Sequence, residues 1–143
     1  MSAVRDTDEF LGFVIFTTKL NLQTLCSADT LLMDGTFKSC PKPFYQLYTI
    51  LAYVNTFYIP LSFALLPDKT QSTYETLLHY LLTQCDVTGL QCEPQRMLMD
   101  FERAAVNAVE AKFTQSRLVW CRFHLGQSWW RRIQSLGLSD DYR

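Results

Sequence analysis

Three strand-like segments follow one another in the first half of the chain, and this run constrains the fold more than any other feature. The segments are Leu31–Phe37, Tyr45–Val54 and Phe57–Leu66. Asn55 and Thr56 separate the second segment from the third and predict a tight turn, so we expect these two strands to form a hairpin. Pro60 cannot donate a ladder hydrogen bond, which predicts that part of the third strand lies at a sheet edge.

The hydrophobic period changes after this run from two residues to about 3.6 residues. Helical spacing predicts a helix over Ser72–Thr83, and Ser72 with Glu75 is typical of a capping box. The expected order is β-β-β-α-β-α-β-α, an α/β fold with a mixed sheet and helices on its faces. The lead-in before Leu31 carries signals for both a short helix and an extended segment. The later elements are a strand at Arg96–Asp100, a helix over residues 101–113, a strand at Arg117–Cys121 and a helix ending near Gly137.

Two acidic residues interrupt hydrophobic strands at Asp34 and Asp100. A right-handed crossover would lay the fourth predicted strand parallel to the first, on the side that the hairpin leaves free. The period of two then places Asp34 on the face of Leu32 and Asp100 on the face of Leu98. We therefore expect the two carboxylates to be neighbours.

A buried, unpaired carboxylate costs several kcal/mol, so Asp34 needs a partner or a function. Two neighbouring carboxylates repel each other unless a cation lies between them. A hard divalent ion such as Mg²⁺ or Mn²⁺ takes oxygen ligands, and such ions activate the nucleophile in phosphodiester cleavage. Gly35 would leave room for the metal or a phosphate, and Thr36 would add a hydrogen bond.

Purely structural roles compete with this interpretation. Asp100 precedes a predicted helix and fits an N-cap, while Glu102 fits a first-turn acid that favours the helix dipole. A structural role for Asp34, in mid-strand, is the weaker of these alternatives.

Composition is that of one soluble domain, with 48% hydrophobic and 19% charged residues. The net charge is −1, but residues 111–139 contain five basic residues and no acidic ones. Five scattered cysteines without a signal peptide predict a reducing, intracellular compartment rather than a disulfide framework. No apolar run reaches the roughly 20 residues that a membrane span needs.

Four segments together resemble the central domain of Mutator-like (MULE) transposases, over a range from about Asn21 to Tyr142. These segments are "MDGTFKSCPKPFYQLYTI", "IPLSFALLPDKTQSTYETLL", "MLMDFERAAVNAV" and "CRFHLGQSWWRRIQSLGL". The resemblance implies a ribonuclease H-like fold, a site of two aspartates and one glutamate that binds Mg²⁺ or Mn²⁺, DNA transposon ends as partner, and a nuclear location. It divides the chain into a lead-in over 1–20 and a catalytic core over 21–143.

Residue by residue, Asp34 in "DGTF" matches the first catalytic and metal-binding acid of the family, and Asp100 in "DFERA" matches the second. Cys121 and His124 match its C-x-x-H motif. One cysteine and one histidine are half a zinc site, and His124 is also compatible with an ordinary helix-start histidine. We expect a role in shaping the site or contacting DNA.

The third acid of the family, a glutamate on a later helix, has no match here, and Asp140 and Asp141 are too close to "CRFH" to replace it. The zinc-binding modules that flank this domain in the family are also unmatched. The sequence therefore predicts a fragment, or a truncated and domesticated descendant, whose metal-dependent DNA cleavage and strand transfer are weak or lost.

The alternative function is a binding module without chemistry, which contacts DNA or protein through "QSWWRRIQ". Its arginines can contact phosphates, and Trp129 and Trp130 can stack on bases or anchor an interface. In the competing structural interpretation, one of these tryptophans fills the core and the arginines form a solvated surface.

We expect no small-molecule substrate and no membrane partner. Exposed hydrophobic surface would favour a homo-oligomer. The candidate DNA-contacting residues are Lys38, Arg122, Arg131 and Arg132.

Overall fold

The computed structural model describes residues 12–140, which form one six-stranded mixed sheet and four helices. The strands are β1 (Val14–Phe16), β2 (Thr30–Thr36), β3 (Gln46–Val54), β4 (Phe57–Leu66), β5 (Arg96–Met99) and β6 (Arg117–Trp120). The helices are α1 (Lys19–Ser27), α2 (Gln71–Val87), α3 (Arg103–Lys112) and α4 (Arg122–Ser135). The predicted α/β class is confirmed, and every predicted element is present within a few residues of its expected bounds. Residues 1–11 of the predicted lead-in and Asp141 lie outside the described residues.

The sheet order is β1-β4-β3-β2-β5-β6, with β2 at the junction between an antiparallel half and a parallel half. The predicted crossover is confirmed, because β5 pairs parallel to β2 on the side that the hairpin leaves free. The lead-in contains both of the structures for which it carried signals. Its strand β1 pairs with β4 at the sheet edge, and its helix α1 follows directly.

The β3–β4 hairpin turns at the two predicted residues. Asn55 and Thr56 have positive φ values of 48° and 69°, as a two-residue type I′ turn requires. Leu61 is the extra residue of a bulge, because Ile50 pairs with Ser62 whereas Leu51 pairs with Pro60. The ladder to β1 covers only Phe63–Leu65, so Pro60 lies on an unpaired edge, as predicted.

Helix α2 begins one residue earlier than expected, and its N-cap is Thr70 rather than Ser72. The Thr70 hydroxyl oxygen accepts a hydrogen bond from the Thr73 backbone N–H, and the predicted capping box of Ser72 with Glu75 is wrong. Asp68 supports this cap, because its Oδ1 accepts hydrogen bonds from the Thr70 and Thr73 hydroxyls.

The two faces of the sheet differ in how they are covered. Helices α2 and α3 pack against each other and bury one face, in a core that includes Met33, Ile50 and Met97. The opposite face, here called the open face, carries the alternate residues of the same strands. Its apolar side chains Leu32, Leu47, Leu51, Leu65 and Phe63 are half-buried or exposed, and α4 contributes no buried residue. No helix among residues 12–140 has the length and apolar character needed to cross a bilayer.

Candidate functional site

Asp34 lies on the open face of β2, not in the core. Burial alternates along this strand, with Leu31 and Met33 buried and Leu32 and Asp34 only partly so. The Asp34 side chain is 40% exposed, so water already solvates much of its charge. The expected burial cost is therefore not what constrains this residue, and its surroundings matter more.

The register between β2 and β5 brings Asp34 and Asp100 to the same level. Leu32 pairs with Leu98, and each acid lies two residues further along its own chain. Because side chains two residues apart on a strand point to the same face of a sheet, Asp34 belongs to the open face together with Leu32. Asp100 comes one residue after the end of β5.

Tyr48, in the core beneath the two acids, has a strongly perturbed pKa. Its burial raises the pKa of its phenol well above the usual range, and Tyr74 raises the pKa further. The negative charges of Asp100, Glu102 and Asp34 act in the same direction. These contributions show that all three carboxylates add negative charge near the buried Tyr48 ring.

Asp100 organises the turn that leads into α3. Its Oδ1 accepts a hydrogen bond from the Glu102 backbone N–H at 3.1 Å. The N-cap position of α3 belongs to Glu102, so the alternative interpretation of Asp100 as the N-cap is wrong. This hydrogen bond uses one carboxylate oxygen of Asp100.

Glu102 is more than a first-turn helix acid, because it ends a chain of hydrogen bonds through the core. The Gln46 side chain donates to the Tyr74 hydroxyl at 2.7 Å, and this hydroxyl donates to Glu102 Oε2 at 3.0 Å. Burial raises the pKa of Glu102, and the Asp100 charge contributes, although the Tyr74 hydrogen bond opposes both. The chain thus connects β3 and α2 to the turn that holds Asp100.

The absence of a side chain at Gly35 is explained by the space that this network needs, and not by the approach of a metal or phosphate. A Cβ atom at Gly35 would lie 2.6 Å from Gln46 Oε1 and 3.4 Å from the Tyr48 ring. Gln46 is fully buried, and its Oε1 has no hydrogen-bond partner among residues 12–140. Gly35 follows Asp34 by one residue and therefore faces the core, where its missing side chain makes room for this amide.

His124 contacts Asp34, a relationship that the sequence did not reveal. Its Nε2 lies 3.5 Å from Asp34 Oδ1, and its Nδ1 is buried without a hydrogen-bond partner in the described part of the chain. Cys121 is the N-cap residue of α4, and its backbone N–H donates to the Met99 carbonyl at 2.8 Å. The C-x-x-H motif therefore brings the first turn of α4 to the two acids.

A family model for the MULE transposase domain matches residues 30–128. This chain belongs to the MULE transposase family. The match begins at the first residue of β2 and ends within α4, so it includes both acids and the C-x-x-H motif of this MULE transposase domain. A search of curated proteins found no significant match.

The acids of the MULE transposase domain offer oxygen ligands on a solvent-accessible face, which suits a hard cation such as Mg²⁺ or Mn²⁺. No three His, Cys, Asp or Glu side chains within residues 12–140 are placed to hold a metal ion together.

The basic candidates lie on the surface of the domain. Arg122, Arg131 and Arg132 are exposed on α4, and Lys38 is exposed in the loop after β2. Neither tryptophan of "QSWWRRIQ" fills the core, because Trp129 is 63% and Trp130 is 40% exposed. That alternative interpretation is wrong, and both rings are available at the surface.

Proposed function

We propose that this MULE transposase domain has the ribonuclease H-like arrangement and acts on DNA by metal-dependent strand cleavage and transfer. The observation that supports the proposal is the parallel register of β2 with β5, in which Leu32 pairs with Leu98 and each acid follows two residues later in its own chain segment. The strand order supports the fold assignment, since three antiparallel strands are followed by two strands parallel to β2.

In this proposal Asp34 and Asp100 bind one divalent cation between them and neutralise their mutual repulsion. A bound cation would supply an activated water or hydroxyl nucleophile and stabilise the leaving oxygen. His124 orients the Asp34 carboxylate from α4. The Tyr74–Glu102 hydrogen bond fixes the turn that presents Asp100.

We propose that catalysis by this chain alone is weak or absent. Two carboxylates leave most coordination positions of a cation to water, and such a site holds Mg²⁺ loosely. The active family site, by resemblance, uses a third acid that has no match among the residues of this sequence.

Nicking of a supercoiled plasmid in Mg²⁺ or Mn²⁺ tests this function. We expect little nicking by the wild-type chain, and loss of any residual nicking in Asp34→Asn and Asp100→Asn. Asp86→Asn, an exposed position on α2, is the matched control. Strong nicking that Asp34→Asn abolishes would overturn the claim that catalysis is weak. Residual nicking that survives both substitutions would overturn the assignment of Asp34 and Asp100 as the catalytic acids.

A second candidate function, a DNA-binding or protein-interaction module without chemistry, is favoured by α4. This helix exposes three arginines and two tryptophans and buries no residue. Binding to phosphates would weaken steeply with salt, because neutralised phosphates release counterions. Salt-insensitive association would instead favour a protein partner.

The open face and α4 also lead us to propose that the chain self-associates. Because its proposed substrate is DNA, we propose that it acts in the nucleus. Exposed aromatic side chains include Phe57, Phe63 and Phe123. Apolar surface of this kind marks interaction sites. Gel filtration at two protein concentrations should show a shift to larger species, and a clean monomer at both would contradict this.

A further inference from the structure

We propose that a cleft on α4, between Phe123 and Trp130, binds an unpaired nucleotide of a single DNA strand. The proposal rests on the DNA-directed function proposed above and adds the state of the DNA that the domain recognises. The cleft is lined by Arg122, Phe123, Gly126, Gln127 and Trp130, and its volume is about 610 Å³.

Helical spacing creates the cleft. Phe123, Gly126 and Trp130 lie at positions i, i+3 and i+7, so they share one side of the helix. Seven residues at about 1.5 Å each separate the two aromatic residues by roughly 10 Å along the axis. A Cβ atom at Gly126 would meet nothing within 4 Å, so the floor between the rings is open.

Both rings are accessible to a ligand. Phe123 is 70% and Trp130 is 40% exposed, which leaves ring surface on each side of the cleft. Stacked bases follow one another at about 3.4 Å along a strand, so the gap has room for a base on either ring. Each base stacked on an aromatic side chain contributes roughly 1–3 kcal/mol, with little dependence on sequence.

Charge favours nucleic acid over an apolar protein segment as the occupant. Arg122 lies in the cleft wall, and Arg131 follows Trp130 directly. Helix α4 itself carries three exposed arginines and no acidic residue, which complements phosphate. Exposed aromatic rings interleaved with basic side chains are the features that sequence-tolerant single-strand binding requires.

The position of the cleft relates it to the acids. His124 is next to Phe123 in sequence, its ring meets the phenyl ring edge-on at 5.6 Å between centroids, and its Nε2 reaches Asp34. The cleft therefore adjoins the turn of α4 that contacts Asp34. Duplex DNA does not offer its base faces to the rings, because they are already stacked, so the cleft selects an unpaired nucleotide.

Fluorescence anisotropy with a labelled oligothymidylate of about 12 nucleotides and a duplex of equal length tests this inference. The full chain is used in EDTA, so that neither metal binding nor cleavage contributes. We expect tighter binding of the single strand than of the duplex. Gly126→Leu fills the cleft, keeps every charge and improves helix propensity, and it should weaken single-strand binding at least roughly fivefold, the lower end of one lost base stack.

Trp130→Ala should weaken single-strand binding to a similar degree. Trp129→Ala, which removes an even more exposed ring that does not line the cleft, should bind like wild type. Circular dichroism verifies that each variant keeps its helix content. Asp86→Asn, at an exposed position on α2, should also bind like wild type. Because binding is measured in EDTA, a failure of the metal site leaves this inference intact.

Three results would overturn the inference. The first is wild-type affinity in both Gly126→Leu and Trp130→Ala. The second is equal affinity of the wild-type chain for single strand and duplex. The third is loss of self-association on gel filtration in the cleft variants without loss of single-strand binding, which would assign the cleft to a protein partner.

Discussion

His124 on α4 and Asp34 on β2 meet at 3.5 Å, and this contact joins the C-x-x-H motif to the first acid of the domain. The two residues are ninety positions apart in the sequence. Because α4 contributes no buried residue, polar contacts at its first turn, this one and the Cys121 N–H to Met99 carbonyl hydrogen bond, help to set where the helix lies.

We predict that His124→Ala loosens α4 without affecting the core. Amide hydrogen exchange within residues 122–135 should accelerate by up to about fivefold, since a partly exposed side-chain contact of this kind contributes about 1 kcal/mol or less. His79→Ala, an exposed position on α2, is the control and should leave exchange in α4 unchanged. Unchanged exchange in both variants would show that the contact does not hold the helix.

Tyr74→Phe removes the hydroxyl that connects Gln46 to Glu102. The buried Gln46 amide then loses its 2.7 Å partner, so we expect the free energy of unfolding to fall by about 1–3 kcal/mol in urea titrations. Tyr53→Phe removes a hydroxyl from an exposed ring and should change stability by far less. Equal losses in the two variants would contradict a role for the network.

Glu102→Gln should have a pH-dependent effect on stability. The pKa of Glu102 is raised in the folded chain, mainly by burial, so ionising this side chain favours the unfolded state. Below the pKa that Glu102 has in the unfolded chain, the carboxyl is protonated in both the folded and the unfolded chain, and this loss of stability is absent. The loss grows as the pH rises through the pKa of the folded chain. Glutamine keeps an oxygen that accepts from Tyr74 and carries no charge.

The variant should therefore be more stable than wild type at pH 7, and the difference should shrink towards zero near pH 4. Thermal unfolding at both pH values measures this. Glu110→Gln, on the exposed side of α3, serves as control. A difference that stays constant or grows at low pH would show that the side chain is not destabilised by ionisation.

Thr70→Ala tests the observed start of α2. Loss of the N-cap hydroxyl should lower the free energy of unfolding by about 1 kcal/mol. Ser72→Ala should have little effect, although the sequence pattern favours Ser72 as the capping residue. A larger loss of stability in Ser72→Ala than in Thr70→Ala, measured by chemical denaturation, would instead support the capping box of Ser72 with Glu75.

The sequence predicts the sheet well where period and turn chemistry agree. Asn55 with Thr56 sets the hairpin, and the handedness of the crossover then leaves only one neighbour for the first predicted strand. The lead-in could not be assigned because β1 has only three residues, too few to show a period of two. Its pairing with β4 depends on tertiary contacts.

Of the residues at the candidate site, only the two aspartates could be predicted from the sequence. Asp34 and Asp100 stand out as acids in apolar strands, whereas the role of Gly35 depends on Gln46, which reaches it across the sheet. The contact of His124 depends on the placement of α4, which no short sequence pattern encodes. The burial of Asp34 was overestimated because a hydrophobic strand does not reveal that one face of its sheet is open.

Manganese binding followed by NMR is the most direct test of the proposed cation site. Paramagnetic Mn²⁺ added to the isotopically labelled chain should selectively broaden the resonances of Asp34, Asp100 and His124. This broadening should disappear in Asp34→Asn and in Asp100→Asn and persist in Asp86→Asn. Broadening that is centred elsewhere, or that persists in both acid variants, would contradict the claim that these two carboxylates share a divalent cation.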